Sequence, residues 1–175
     1  MSRRLTVMLT VISAALLASC QKDSPPVAVN GATPRLPYRN WSIELTGPGL
    51  NRPTTFTAEQ IGRMEMARLD NILMQRSHGP DTITSWRGPS VETLLAAAEI
   101  KPGPMLFTVT AADGWELNYT PAQLKSAIIA VQDGQGRWLA ELDETCPLRL
   151  VPPDLTANYW LMNICRIKVE PLAGS

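Results

Sequence analysis

The fold is decided at a turn from strand to helix, which reads TITSWRGPSVETLL and spans residues 82–95. Residues 82–86 alternate between polar and apolar side chains, the period-two pattern of a half-buried strand. Ser90 is of a type that caps helices, and the apolar side chains after it recur at the helical spacing: Val91, Leu94, Leu95 and Ala98. The stretch therefore predicts a strand, a tight turn and a short amphipathic helix.

Short elements of the same kind are predicted on both sides of this turn. Alternating or apolar runs predict further strands at 41–45, 53–56, 64–76, 105–111, 115–119, 127–132, 148–151 and 160–169, the third of them broken at Asp70-Asn71. Two capping boxes, Thr57 with Gln60 and Thr120 with Gln123, predict short helices. The sequence thus predicts an α+β domain with mixed β-sheets and two or three short helices.

The composition excludes some classes of function. The 175 residues carry 16 Lys plus Arg and 16 Asp plus Glu, so the formal net charge is zero. A nucleic-acid-binding protein usually shows a basic excess or a basic stripe. The 15 prolines and 11 glycines predict many turns and argue against a long helical bundle.

Residues 1–19 resemble the signal peptide of a bacterial lipoprotein. Arg3 and Arg4 give it a basic start, and the apolar run at 5–17 is shorter than the roughly 20 residues of a membrane-spanning helix. The tetrapeptide LASC at 17–20 is similar to a lipobox, which implies that Cys20 is acylated and becomes the mature N-terminus. An ordinary signal peptide with a chance cysteine is the alternative. The residue after Cys20 is Gln21 and not Asp. In this respect the chain resembles enteric lipoproteins that are sorted to the outer membrane.

Residues 20–37 are predicted to be a tether. They contain four prolines, which stiffen the chain, and no segment that could form a core. We therefore expect a lipidated Cys20 with a Pro-rich tether at 20–37, and a folded domain at 38–175. The expected location is the bacterial cell envelope, with the domain anchored by lipid, facing the periplasm and held at the outer membrane.

Three segments together resemble the molybdopterin-binding domain of the sulfite oxidase family. The first, WRGPSVETLL at 86–95, is similar to the family's turn from a W-x-G sequence into a helix. The second, FTVTAADGW at 107–115, is similar to its strand followed by A-x-D-G and an aromatic residue. The third is PLRLVP at 147–152, followed by the return strand WLMNICRI at 160–167. The resemblance covers residues 41–170 and implies the sulfite-oxidase-like molybdopterin-binding fold.

The same resemblance points to molybdopterin as the cofactor of the family, but no cofactor is expected for this chain. In catalytic members of the family a Cys thiolate binds the molybdenum, in the stretch before the W-x-G sequence. Here that stretch, residues 64–87, contains no cysteine, and no neighbouring side chain replaces a thiolate on a soft metal. We therefore assign no catalytic residue and no metal ligand, and expect no redox catalysis.

Arg76, His78 and Arg87 flank the region where the family's pocket would lie. Arginine recognises phosphate or carboxylate through two parallel hydrogen bonds. The three residues are therefore predicted to form an anion-binding site, with exposed, solvated side chains as the alternative.

Cys146 and Cys165 are predicted to form a disulfide, because the cell envelope is oxidising. If Val151 faces Trp160 in an antiparallel pair, the same register places Cys146 opposite Cys165. Two buried free thiols, or a metal or redox role, are the alternatives.

These observations leave three functions open. The first is a membrane-anchored periplasmic lipoprotein whose molybdopterin-binding-like domain is non-catalytic and binds a small anionic or pterin-like ligand or an envelope protein. The second is a genuine molybdopterin-dependent oxidoreductase. The third is a structural or assembly lipoprotein of the envelope. In each, the chain contacts the membrane through Cys20, and no nucleic-acid partner is expected.

Overall fold

The computed structural model describes residues 41–172. The signal peptide, Cys20 and the tether predicted at 20–37 lie outside the described residues. The elements, in chain order, are β1 (Ser42–Thr46), β2 (Thr54–Thr57), α1 (Ala58–Gly62), β3 (Ala67–Met74), β4 (Thr82–Gly88), α2 (Val91–Ala97), β5 (Met105–Ala111), β6 (Glu116–Tyr119), α3 (Pro121–Leu124), β7 (Ile128–Ala130), β8 (Gln132–Asp133), α4 (Leu139–Leu142), β9 (Arg149–Val151), a 3-10 turn (Ala157–Tyr159) and β10 (Ile164–Pro171). The predicted α+β class, with mixed sheets and short helices, is confirmed.

The largest sheet has five strands in the order β2-β1-β10-β5-β6. It is mixed, because β1 runs parallel to β10 while the other neighbours are antiparallel. Alternation along β5 places one face in the core, where Phe107 and Val109 meet Ile167 and Val169 of β10. Each such fully buried aliphatic or aromatic side chain contributes roughly 1.5–3 kcal/mol.

Two smaller sheets, β3-β4-β8 and β7-β9, enclose a second apolar cluster. Trp86 of β4 and Trp160 pack in it with Val151 of β9. The indole N–H of Trp160 donates to the carbonyl oxygens of Pro152 and Leu155 at 3.1 and 3.0 Å, so this buried polar group is satisfied. The β7-β9 pair joins both clusters, because Leu150 of β9 packs in the first and Val151 in the second.

The turn from β4 into α2 depends on a close approach of two backbones. A Cβ on Gly88 would lie 1.8 Å from the carbonyl oxygen of Ile129, so only glycine fits there. The Ser90 hydroxyl then accepts a hydrogen bond from the N–H of Thr93 at 2.9 Å and caps α2. The side chains of Val91, Leu94 and Leu95 on this helix are buried, as their spacing predicts.

Both predicted capping boxes are present. Thr57 and Gln60 exchange hydrogen bonds at the start of α1, and Thr120 and Gln123 do so at the start of α3. The predicted break at Asp70-Asn71 is also found, because Asn71 has a φ of 54° and the β3–β4 register shifts there. The sequence did not indicate α4, which has four residues and no side-chain cap.

The predicted disulfide is wrong, because Cys146 and Cys165 are both free. The expected register does hold locally, since Arg149 faces Met162 and the N–H of Asn163 donates to the Leu148 carbonyl at 2.8 Å. It ends at Asn163, which has a left-handed φ of 48° and redirects the chain toward β5. The Cys165 thiol then donates to the Thr110 carbonyl oxygen. The Cys146 thiol donates to the Leu148 carbonyl oxygen.

Candidate functional site

The structure does not bring the three predicted anion-binding residues together. Arg76 and His78 are exposed in the loop between β3 and β4, where Asp81 accepts from the Arg76 N–H at 2.9 Å. Arg87 lies at the far end of β4, five positions beyond Thr82. At about 3.3 Å per strand residue, this places Arg87 roughly 16 Å from the loop.

Arg87 is half-buried on its strand. Its backbone pairs with Arg68 on one side and Gln132 on the other. Within residues 41–172 its buried Nε has no hydrogen-bond partner, and no acidic side chain is within ion-pair distance. Arg87 therefore has an unpaired donor, as expected of a residue that binds an anion, but Arg76 and His78 do not lie beside it.

A second unpaired arginine lines a cleft of about 300 Å³. The cleft, hereafter the Arg149 cleft, lies between the β5–β6 turn, the segment after α4, the start of β9 and the segment before β10. Its walls are formed by Asp113, Asp143, Thr145, Cys146, Arg149, Met162 and Asn163. Of the described residues, these combine a buried arginine donor, two carboxylates and a free thiol in one concavity.

The guanidinium of Arg149 is held by apolar and soft partners. Its Cζ lies 4.8 Å from the centre of the Trp86 ring, a cation–π contact that fixes the plane of the group. One Nη donates to the Met162 sulfur at 3.4 Å. The buried Nε has no partner among residues 41–172, and none of the acidic side chains there forms an ion pair with Arg149. Because the guanidinium has five N–H donors and cannot lose its charge, most of its hydrogen-bonding capacity is left for a ligand.

Two carboxylates share the Arg149 cleft. Asp143 accepts from the Thr145 hydroxyl at 2.6 Å and from the Thr145 N–H at 2.9 Å, and these bonds lower the pKa of Asp143. Asp113 accepts from the N–H of Trp115 at 3.0 Å. Neither carboxylate pairs with a cationic side chain of the described residues. Asp143 is therefore ionised at neutral pH and keeps oxygen lone pairs free.

Backbone hydrogen bonds hold the walls of the cleft in place. The N–H of Ala112 donates to the Asn163 carbonyl at 2.9 Å, which ties the β5–β6 turn to the segment before β10. The Cys146 N–H donates to the Asp143 carbonyl at 3.1 Å, which closes the turn after α4. These bonds tie the turns that carry the lining side chains to each other and to the neighbouring segments.

Two larger concavities are less suited to a charged ligand. One of about 660 Å³ on the β3-β4-β8 sheet contains Arg68 and Arg137, but Asp70 and Asp133 already pair with them. The other, of about 540 Å³, lies between α2, β5 and α3 and has an apolar lining with Glu92 and Lys125 as its charged residues. The Arg149 cleft is therefore the candidate site.

Sequence reasoning missed Arg149 as a site residue, although a signal was present. It is the charged residue in the apolar run Leu148-Arg149-Leu150-Val151, whose other three side chains are fully buried. A charge in such a strand must find a partner or a ligand. Its nearness to Asp113, more than thirty positions away in the sequence, depends on the chain path and has no local signal.

Residues 41–172 contain neither a membrane-spanning helix nor a cluster of metal-binding side chains. No helix in this part is both long and apolar enough to cross a membrane. No group of three or more His, Cys, Asp or Glu side chains there is arranged to hold a metal ion.

The sequence matches no protein-family model and no curated protein. Its fold is similar to that of the sulfane dehydrogenase SoxCD from Paracoccus pantotrophus, with a TM-score of 0.62 and 20% sequence identity. The likeness covers 75% of this chain but 38% of the SoxCD chain, so the chain spans well under half of that protein. At this identity, the comparison shows a shared fold.

The donor set does not fit a molybdenum held by a thiolate at the position that the family resemblance implies. Residues 64–87 form β3, the following loop and most of β4, and none of them is a cysteine. Cys146 lies in the Arg149 cleft and Cys165 at the start of β10, both outside that stretch.

Proposed function

We propose that this domain binds a small ligand through an oxyanion group, such as a carboxylate, at Arg149. The observation that carries the proposal is the half-buried Arg149, whose Nε is desolvated and has no partner among the described residues. A buried donor left unsatisfied costs about 1–3 kcal/mol, more when it is charged. Because the Nε itself is closed to solvent, the ligand oxyanion would bind the Nη donors of the same guanidinium, one of which contacts the Met162 sulfur.

The test compares two arginines whose buried Nε atoms both lack a hydrogen-bond partner among residues 41–172. Binding of acetate, sulfate and phosphate to the purified protein is measured by calorimetry for the wild type, Arg149→Ala and Arg87→Ala. We expect Arg149→Ala to weaken binding of the preferred anion about 10- to 100-fold, the effect of losing roughly 1.5–3 kcal/mol from a charge-assisted hydrogen bond. Arg87 follows Trp86 in β4 and does not line the Arg149 cleft, so Arg87→Ala should leave the affinity within twofold.

Loss of binding in Arg87→Ala alone would place the anion at the residue that the sequence indicated and contradict the proposal. Arg149→Lys serves as the conservative variant. It keeps the charge but loses the planar donor set, so we expect it to restore only part of the affinity.

The remaining part of the proposal concerns location. The lipobox-like LASC at 17–20 and the Pro-rich stretch to residue 37 support a lipoprotein anchored through Cys20, with the domain facing the periplasm from the outer membrane. The fold shared with a sulfane dehydrogenase and the segment resemblance support a sulfite-oxidase-like domain. We propose that it acts in binding rather than in redox catalysis, because the thiolate position is empty of cysteine.

Two alternative binding partners are each supported by a specific observation. A molybdopterin-like ligand is favoured by the fold, and the phosphate on the side chain of such a pterin would present an oxyanion to Arg149. Extraction of a pterin from the purified protein would support this ligand. An envelope protein as the partner is favoured by the exposed Trp115 and Met162, which are 64% and 57% accessible. Aromatic and Met side chains of this kind are enriched in protein interfaces.

A further inference from the structure

The Arg149 cleft contains charges of both signs that do not neutralise each other. Arg149 supplies one positive charge, and Asp113 and Asp143 supply two negative charges. Among residues 41–172, no pair of these three side chains lies within ion-pair distance. A ligand that is only an anion would gain from Arg149 but would be repelled by both carboxylates.

We propose that the ligand is a small zwitterion of the α-amino acid class, with its carboxylate on Arg149 and its ammonium group on Asp143 and Asp113. This inference rests on the function proposed above and names the ligand class of the same site. The ammonium group would turn the two carboxylates from repelling groups into ligand-binding groups. Charge complementarity of this kind selects one partner over others.

The geometry of the acceptors supports this assignment. The two bonds from Thr145 hold Asp143 in one orientation and keep it ionised, and the bond from Trp115 N–H orients Asp113. Each carboxylate can accept about four hydrogen bonds, so both keep capacity for an ammonium donor. The cation–π contact with Trp86 holds the guanidinium, which presents the opposite charge on the same cleft.

The size of the cleft limits the ligand. Its volume of about 300 Å³ is at the lower end of the range for small-molecule sites, so it fits a single small amino acid better than a peptide or a nucleotide. Met162 contributes an apolar wall that suits a short aliphatic side chain.

The test compares alanine with two derivatives, each of which lacks one of its two charges. Alanine carries both groups, N-acetylalanine keeps only the carboxylate, and alaninamide keeps only the ammonium group. Calorimetry on the full purified protein should show that alanine binds about tenfold or more tighter than either derivative, since each derivative leaves one charged partner in the cleft without its counterpart.

Two variants assign the ammonium site. Asp143→Asn and Asp113→Asn should each reduce the preference for alanine over N-acetylalanine at least threefold, and using both protects the result if one variant folds poorly. Asp70→Asn, which removes a carboxylate paired with Arg68 outside the cleft, is the control and should leave the preference unchanged.

The outcomes separate this inference from the proposed function. If N-acetylalanine or acetate binds as tightly as alanine, and Arg149→Ala abolishes that binding, the ligand is a plain anion and the zwitterion is refuted while the proposed function stands. If only alaninamide binds, or Arg149→Ala changes no affinity, both are refuted.

Discussion

Replacement of Gly88 by alanine tests the central packing contact of the fold. An added Cβ would lie 1.8 Å from the carbonyl oxygen of Ile129, 2.6 Å from its carbonyl carbon and 2.9 Å from the Cα of Ala130. All three are backbone atoms in a fully buried segment, so no flexible side chain can move aside. The two segments would have to separate by more than an ångström.

That separation would disturb two backbone hydrogen bonds that flank the glycine. The Ile129 N–H donates to the Pro89 carbonyl and the Val131 N–H donates to the Arg87 carbonyl, both at 2.9 Å. Their loss costs about 1 kcal/mol each, and overpacking of a buried site costs about 1–3 kcal/mol more. We expect Gly88→Ala to lower the free energy of unfolding by about 3–5 kcal/mol, a large part of the 5–15 kcal/mol typical of a domain.

Urea unfolding followed by tryptophan fluorescence measures this difference. With a slope near 2 kcal/mol per molar urea, the midpoint should fall by about 1.5–2.5 M. Gly114→Ala is the matched control, because Gly114 has a φ of 87° but no atom within 4 Å of an added Cβ. It should cost about 1–2 kcal/mol, from the left-handed backbone alone. A loss for Gly88→Ala no larger than that of the control would refute the close approach of β4 and β7.

Three other predictions concern a buried phenol, the thiols and the anchor. The Tyr119 hydroxyl donates to the Tyr159 carbonyl at 2.6 Å, and burial raises the pKa of Tyr119 well above 10. Because the phenol ionises first in the unfolded chain, the free energy of unfolding should fall as pH rises above about 10. Tyr119→Phe should remove that fall and should cost about 1–2 kcal/mol at pH 7. Urea midpoints measured across this pH range check both effects. Cys146 and Cys165 should both react with a thiol reagent in the unfolded protein without prior reduction; recovery only after reduction would contradict the free thiols. Cys20→Ala should release the protein from the membrane fraction. Retention of the variant in that fraction would contradict anchoring through a lipid on Cys20.

Local patterns predicted most of the secondary structure. The alternation in β1 and β5, the Ser90 cap and the two capping boxes depend on neighbouring residues, and each is found where the sequence indicated it. α4 was missed because four residues after Trp138, without a side-chain cap, leave no periodicity to detect.

Features that depend on the path of the chain could not be predicted in the same way. The register assumed from Val151 and Trp160 holds at Arg149 and Met162, but the left-handed Asn163 ends it and Cys165 lies in β10 of the five-stranded sheet. The same limit applies to the site. Arg87 was predicted as an anion-binding residue from its place in the W-x-G sequence, whereas the cleft around Arg149 is assembled from four separate segments.

A crystal structure of the protein with bound alanine would show directly whether the Arg149 cleft binds a zwitterion. We expect the carboxylate of alanine within hydrogen-bond distance of the Arg149 guanidinium, with that guanidinium still stacked on Trp86. An Arg149 paired with Asp113 or Asp143, or a ligand bound at Arg87 instead, would contradict it.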